Sequence, residues 1–276
     1  MIKLKEVALP DDIRNRLAAY QQQINQEVDY ELRREKARQM WETHSQSLSK
    51  VREILKEMTP SIESCCYCED SFARDIEHFR PKTLYPNDTF VWENYLLACP
   101  TCNGNKKDKF AIFDGEGRKQ DVTHPRNQPK TEPIDGQAVL INPRFENPLD
   151  FLRIDLLKTF RVQPCADLPS SQHERASYTI ELLKLNRAYL TEIREAAFRN
   201  FISWGHTYDR YRSQRDLEAL FHHQTRLEKS LAQLSVWSEM KRVYRNRNEN
   251  WQRLTEKYST LKEIDTLFNQ LPHLLD

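Results

Sequence analysis

The sequence predicts an α+β fold, mainly α, with a small cysteine-bearing centre between N- and C-terminal helical regions. Three observations predict it. Both ends of the 276-residue chain are nearly free of Gly and Pro and carry apolar residues every three or four positions. Five of the six cysteines crowd between Cys65 and Cys102. Three of the five glycines and five of the thirteen prolines fall within 111–149, which therefore reads as loop and short strand.

Residues 1–60 make the N-terminal helical region. Pro10-Asp11-Asp12 is a start signal and Thr59-Pro60 a stop. Ile13, Leu17, Tyr20, Ile24, Val28 and Leu32 form one apolar stripe, and Val51, Ile54, Leu55 and Met58 repeat it. The polar stretch from Thr43 to Ser47 divides the run into two helices. Residues 61–112 form the cysteine-bearing module. In 113–170, Asp121 to Gly136 reads as an extended loop. Ala138–Ile141, Phe151–Ile154 and Phe160–Val162 read as short strands, with a hairpin turning near Leu157-Lys158. Residues 171–276 form the C-terminal helical region, free of Pro until Pro272. Tyr178, Leu182, Leu185 and Tyr189 mark one apolar face; Leu217, Leu220, Phe221 and Leu227 mark another. These faces exceed what so small a centre can cover, which points to contact with a partner subunit.

Composition excludes several classes. No apolar run approaches the roughly 18 residues of a membrane span, so no membrane role is expected. Residues 1–20 lack the apolar stretch of a secretory signal, so the expected location is the cytoplasm. The balance of 42 Lys+Arg against 41 Asp+Glu leaves +1, so bulk charge does not announce a nucleic-acid binder. Cytoplasmic thiols stay reduced, and six cysteines there are not a disulfide framework.

Their spacing points to a metal. Cys65-x-x-Cys68 and Cys99-x-x-Cys102 are two knuckles whose thiolates can surround one Zn²⁺ tetrahedrally. With no ligand position left open, the zinc is structural. Cys66 is an alternative to Cys65, and Cys165 reads as an ordinary thiol.

Between and after the knuckles stand Glu77-His78-Phe79-Arg80-Pro81-Lys82, then Asn94-Tyr95-Leu96-Leu97-Ala98-Cys99, then Asn103-Gly104-Asn105-Lys106. An acidic residue with His and x-x-Pro, an Asn-x-Leu before CxxC, and Asn after the last Cys resemble the HNH nuclease motif. That resemblance implies a ββα-metal module: a hairpin bearing the acid–His pair, a loop bearing Asn94, a helix bearing the last ligand. It implies hydrolysis of a phosphodiester with His78 as general base, since neutral imidazole accepts a proton near pH 7. It further implies Mg²⁺ or Mn²⁺ held by Glu77 and Asn103, and Asn94 bridging loop backbone rather than touching the ion. Arg80, Lys82 and Lys106 are candidate phosphate contacts; Asn105 and Asp108 are spare oxygen donors. The sequence departs from the usual pattern in having Glu77 for Asp and Asn103 for the last His.

Cys65-Cys66-Tyr67-Cys68-Glu69, Ile76 to Lys82, Asn94 to Cys99, Leu140-Ile141-Asn142-Pro143 and Arg175 with Thr179 to Arg187 narrow the resemblance to the PtuB subfamily of HNH proteins. Such proteins are nuclease effectors of Septu-type anti-phage systems, some attached to retrons, and work with a PtuA-like ATPase. The resemblance therefore implies that partner, and this chain has no GxxxxGK[ST] of its own. DNA is the favoured substrate over RNA. The competing readings are a non-catalytic zinc-binding adaptor of the ATPase, and an HNH RNase acting on tRNA or other structured RNA. Residues 61–110 hold six Lys+Arg and eight Asp+Glu, so the module is no basic clamp by itself. In the tail, Lys241, Arg242, Arg245, Arg247 and Arg253 interleave with Tyr244 and Trp251, a composition that suits stacking on bases. A solvated helix with Val243 and Trp251 facing the core is the preferred reading of that segment.

Overall fold

The computed structural model describes residues 1–59, 61, 63–70, 72–125, 130–214, 233–246, 249–258 and 261. Leu217, Leu220, Phe221, Leu227, Arg247 and Pro272 lie outside the described residues. The chain divides into two compact units: Met1–Leu152 with Pro164–Leu185, and Arg153–Gln163 with Asn186–Asp276.

The first unit begins with α1 (Asp11–Asn25), α2 (Tyr30–His44) and, after a 3₁₀ turn (Ser45–Leu48), α3 (Ser49–Met58). The helices start after Pro10 and stop at Thr59, and the break after His44 is where the polar stretch predicts it. A second break at 26–29 is not predicted, because no Gly or Pro marks it. Asp29 makes it: its carboxylate accepts the Leu32 amide at 3.0 Å and caps α2. The stripe is thereby corrected. Ile13, Leu17 and Ile24 are buried, but Val28, in the break, is 91% exposed and Leu32, in the first turn of α2, is 59% exposed.

Next come β1 (Asp75–His78), β2 (Tyr95–Ala98) and α4 (Pro100–Lys106). β1 and β2 pair antiparallel, Asp75 opposite Ala98 and His78 opposite Tyr95. This is the expected ββα order. β3 (Ala111–Phe113), β4 (Lys119–Asp121) and β5 (Gln137–Ala138) form a second sheet in the order β4-β3-β5. The β3–β4 hairpin was not expected from sequence; Asp114 builds it by accepting the Glu116 and Arg118 amides, both at 2.9 Å. Gly136 permits the β5 approach, as a Cβ there would lie 2.3 Å from the Phe113 carbonyl oxygen. Ala138–Ile141, expected as a strand, is one only at its first residue. α5 (Ser170–Leu182) closes the unit.

The predicted C-terminal helix is interrupted after α5. Lys184 takes a left-handed conformation (φ 50°), and the Leu185 amide reaches back to Ile180 at 3.0 Å. A lysine in that role gives no sequence signal. The expected face is corrected too: Leu183 and Leu185 are buried while Tyr189 is 52% exposed.

β6 (Leu152–Ile154) and β7 (Val162–Pro164) pair, with the intervening turn held by Asp155, which accepts the amides of Leu157, Lys158 and Thr159. The second unit continues with α6 (Ala188–Ser213), α7 (Leu234–Asn246) and α8 (Glu249–Lys257). Val243, Tyr244 and Trp251 are buried, and Tyr244 meets Trp251 edge-on at 5.1 Å. These aromatics are core rather than base-stacking surface. No described helix is long and apolar enough to cross a membrane.

Candidate active site and metal centre

The four knuckle cysteines, Cys65, Cys68, Cys99 and Cys102, are buried with all their sulfurs within 4.8 Å of one another. Cys68 and Cys99 sulfurs are 3.8 Å apart. Four sulfurs at about 2.3 Å from one tetrahedral zinc would stand about 3.8 Å apart, so the set fits that ion. Backbone geometry aims them. The Cys65 amide bonds to the Asp70 carbonyl at 2.8 Å and Glu69 closes the turn with φ 62°. Cys99 caps α4, its sulfur accepting the Cys102 amide. Hydrogen bonds from Cys102 hold the Cys68 and Cys99 thiols below their ordinary range, and the same contacts push the Cys102 thiol up. Cys66 lies outside the cluster. Its amide ties the knuckle to the Leu97 carbonyl at 2.9 Å, and burial pushes its thiol well up. Cys165 is half-buried and not in a disulfide, its sulfur donating to the Leu149 carbonyl at 3.9 Å.

β1 carries the acid–His pair, and strand alternation sends the two side chains to opposite faces. His78 faces α2. Its ring meets Trp41 edge-on at 4.4 Å and its cross-strand neighbour Tyr95 at 5.2 Å. Nε2 lies 2.9 Å from the Thr89 carbonyl oxygen. A carbonyl can only accept, so Nε2 carries the hydrogen and Nδ1 keeps the basic lone pair. Burial, and then the Lys82 charge, hold the imidazole well below its ordinary range, so it is neutral at pH 7. The ring is covered, with His78 5% exposed.

Two further groups fix that arrangement, neither evident from sequence. Tyr95 donates to the same Thr89 oxygen at 2.8 Å. Gln21 of α1 accepts the Phe90 amide at 2.8 Å and donates to Pro86 at 3.2 Å, holding the turn that presents Thr89. Asn94 clamps the loop between β1 and β2. Its oxygen accepts the Arg80 amide at 2.7 Å, and its nitrogen donates to the carbonyls of Arg80 (3.0 Å) and Asp88 (2.9 Å).

Glu77 faces α4 instead. Its carboxylate is 2.5 Å from the Lys106 ammonium, which also donates to the His78 carbonyl at 2.8 Å. Burial raises the Glu77 carboxyl above its ordinary range, against the opposing pull of Lys106. One turn earlier on α4, Asn103 donates to Asp75 at 3.0 Å. Asp75 lies two residues from Glu77 and so on the same strand face, a period-two relation legible in the sequence but passed over there. Glu77 and Asn103 thus have separate partners, Lys106 and Asp75. With an ammonium already against the Glu77 carboxylate, the pair as it stands does not fit a divalent ion.

The phosphate candidates divide. Lys106 is fully buried, which corrects the expectation of an exposed contact. Arg80 is partly exposed, 3.9 Å from Asp88 and over the Tyr85 ring. Lys82 is half-buried over Trp41, its ammonium pushed down by burial. Asn105 donates to the Leu183 carbonyl, and Asp108 is exposed beyond α4.

No family model matches the chain. Over 51 residues the chain is 43% identical to the Septu protein PtuB of Bacillus thuringiensis, which relates the two over that stretch. The stretch covers 17% of this chain and 20% of that protein, so the chain spans about a fifth of the curated relative it matches.

Proposed function

We propose that the chain is a hydrolytic nuclease in which His78 is the general base, acting as the effector of a two-component anti-phage system with a PtuA-like ATPase. The observation that supports it best is the His78 imidazole, neutral and pinned through Nε2 so that Nδ1 is left as a proton acceptor. In this reading Nδ1 takes a proton from the attacking water. Asn94 keeps the loop carbonyls in place, and Arg80 and Lys82 meet the phosphate. The Trp41 ring must move off His78 to admit water. The similarity to a Septu PtuB protein supports the defence context and the ATPase partner. The HNH resemblance implies Mg²⁺ or Mn²⁺ at Glu77 and Asn103; no step is assigned to an ion, because the Lys106 ammonium stands against the Glu77 carboxylate.

The Lys106–Glu77 ion pair favours a second reading, a zinc-stapled adaptor of the ATPase without hydrolysis. One experiment decides between them. The zinc-loaded protein is incubated with plasmid DNA and total tRNA in parallel, with and without a PtuA-like ATPase, in Mg²⁺, Mn²⁺ or EDTA. The nuclease reading expects one substrate to be cut, which also separates DNA from RNA. Intact substrates with the ATPase bound would establish the adaptor.

A further inference from the structure

Lys106 is the most unusual side chain of the module. It is a fully buried lysine, the third residue after Asn103 on α4, and it bonds two groups of β1 at once. Taking an ammonium and a carboxylate out of water costs several kcal/mol per ion unless each is well paired. The ammonium donates to the His78 carbonyl at 2.8 Å and stands 2.5 Å from Glu77 Oε1, an ion pair without hydrogen-bond geometry at that buried oxygen. A buried cation of this kind does not serve as a surface phosphate contact. Its charge sits against the carboxylate that the sequence assigns to an ion, beside the backbone of the proposed base.

We infer that Lys106 is the resident counter-ion of Glu77 and plugs the position a divalent ion would take. Electrostatics make the two cations mutually exclusive. Like charges a few ångströms apart repel strongly inside a protein, and a divalent ion doubles the repulsion. The Glu77 carboxylate cannot neutralise both. An ion therefore binds there only when the ammonium is removed. The inference rests on the nuclease reading for its purpose, but not for its test, which reads ion binding rather than cleavage.

The experiment is Mn²⁺ binding by zinc-loaded full-length protein, followed by electron paramagnetic resonance of free Mn²⁺ and by calorimetry. It compares wild type, Lys106→Met, and the double variant Lys106→Met with Glu77→Gln, with zinc content and circular dichroism as checks on folding. Methionine keeps the length of the buried stem without the charge. Lys106→Met is expected to bind one Mn²⁺ at least about tenfold more tightly than wild type, and the double variant is expected to lose that site. Equal affinity in wild type and Lys106→Met would overturn the inference, as would no binding by either. If Lys106→Met fails to fold, Lys106→Gln takes its place: tighter Mn²⁺ binding than wild type, lost on adding Glu77→Gln, is the expected result, and affinity equal to wild type would overturn the inference. Failure of the nuclease reading shows instead as absent cleavage, whatever Mn²⁺ does.

Discussion

At the scale of single residues, the site is governed by what burial does to His78, Glu77 and Lys106. A histidine whose folded pKa is depressed cannot take the proton that the unfolded chain takes near pH 6.5. Stability is therefore full above that value and falls as pH drops below it. Wild type is expected to lose melting temperature between pH 6.5 and pH 5 more steeply than His78→Asn; parallel curves would contradict a neutral buried ring. The four cysteines were legible from spacing alone, and so was the order of Glu77, His78, Asn94 and Asn103. Their orientation was not. Adjacent strand residues face opposite ways, and a lysine buried by α4 reads in sequence like any solvated one.

At the scale of elements, the surroundings of the base come from outside the motif. α1 supplies Gln21 and α2 supplies Trp41, each far from His78 in sequence. Gln21→Ala would leave the buried Phe90 amide without its acceptor, at a cost of about 1–3 kcal/mol. It is also expected to loosen Thr89, so the imidazole nitrogen shifts of His78 should move from a pure Nε2–H tautomer toward a mixture. An unchanged tautomer would show that Gln21 braces the fold without setting the base. Asp29→Ala tests the unpredicted helix break: losing the cap should cost about 1 kcal/mol, read by denaturant unfolding. Helix periodicity made α1 and α3 readable. The breaks at Asp29 and Lys184 were hidden because a side-chain cap and a left-handed lysine replace the Gly or Pro that usually marks an end.

At the scale of the whole molecule, α1 to α5 and the sheets β1–β2 and β4-β3-β5 fold into one unit with the cysteine cluster, while α6 to α8 belong to a second. The first unit holds the zinc-fitting sulfurs, Glu77, His78 and the helices that cover them. Stripping zinc with a chelator at neutral pH should open residues 61–112 to trypsin, because the paired thiolates would repel once the ion is gone. Unchanged protection after verified zinc loss would mean that α3 and β2 hold the module without it. Contacts between distant segments, such as Gln21 with the 86–90 turn, arise from tertiary packing and left no local pattern to read.

The most direct test of hydrolysis by His78 is the cleavage rate of zinc-loaded wild type against zinc-loaded His78→Ala, on whichever nucleic acid the wild type cuts, with the ATPase present. General-base catalysis contributes about 10²–10⁴-fold, so the variant should lose at least about a hundredfold in rate while keeping its zinc and its ATPase binding. Equal rates for the two proteins would contradict the account.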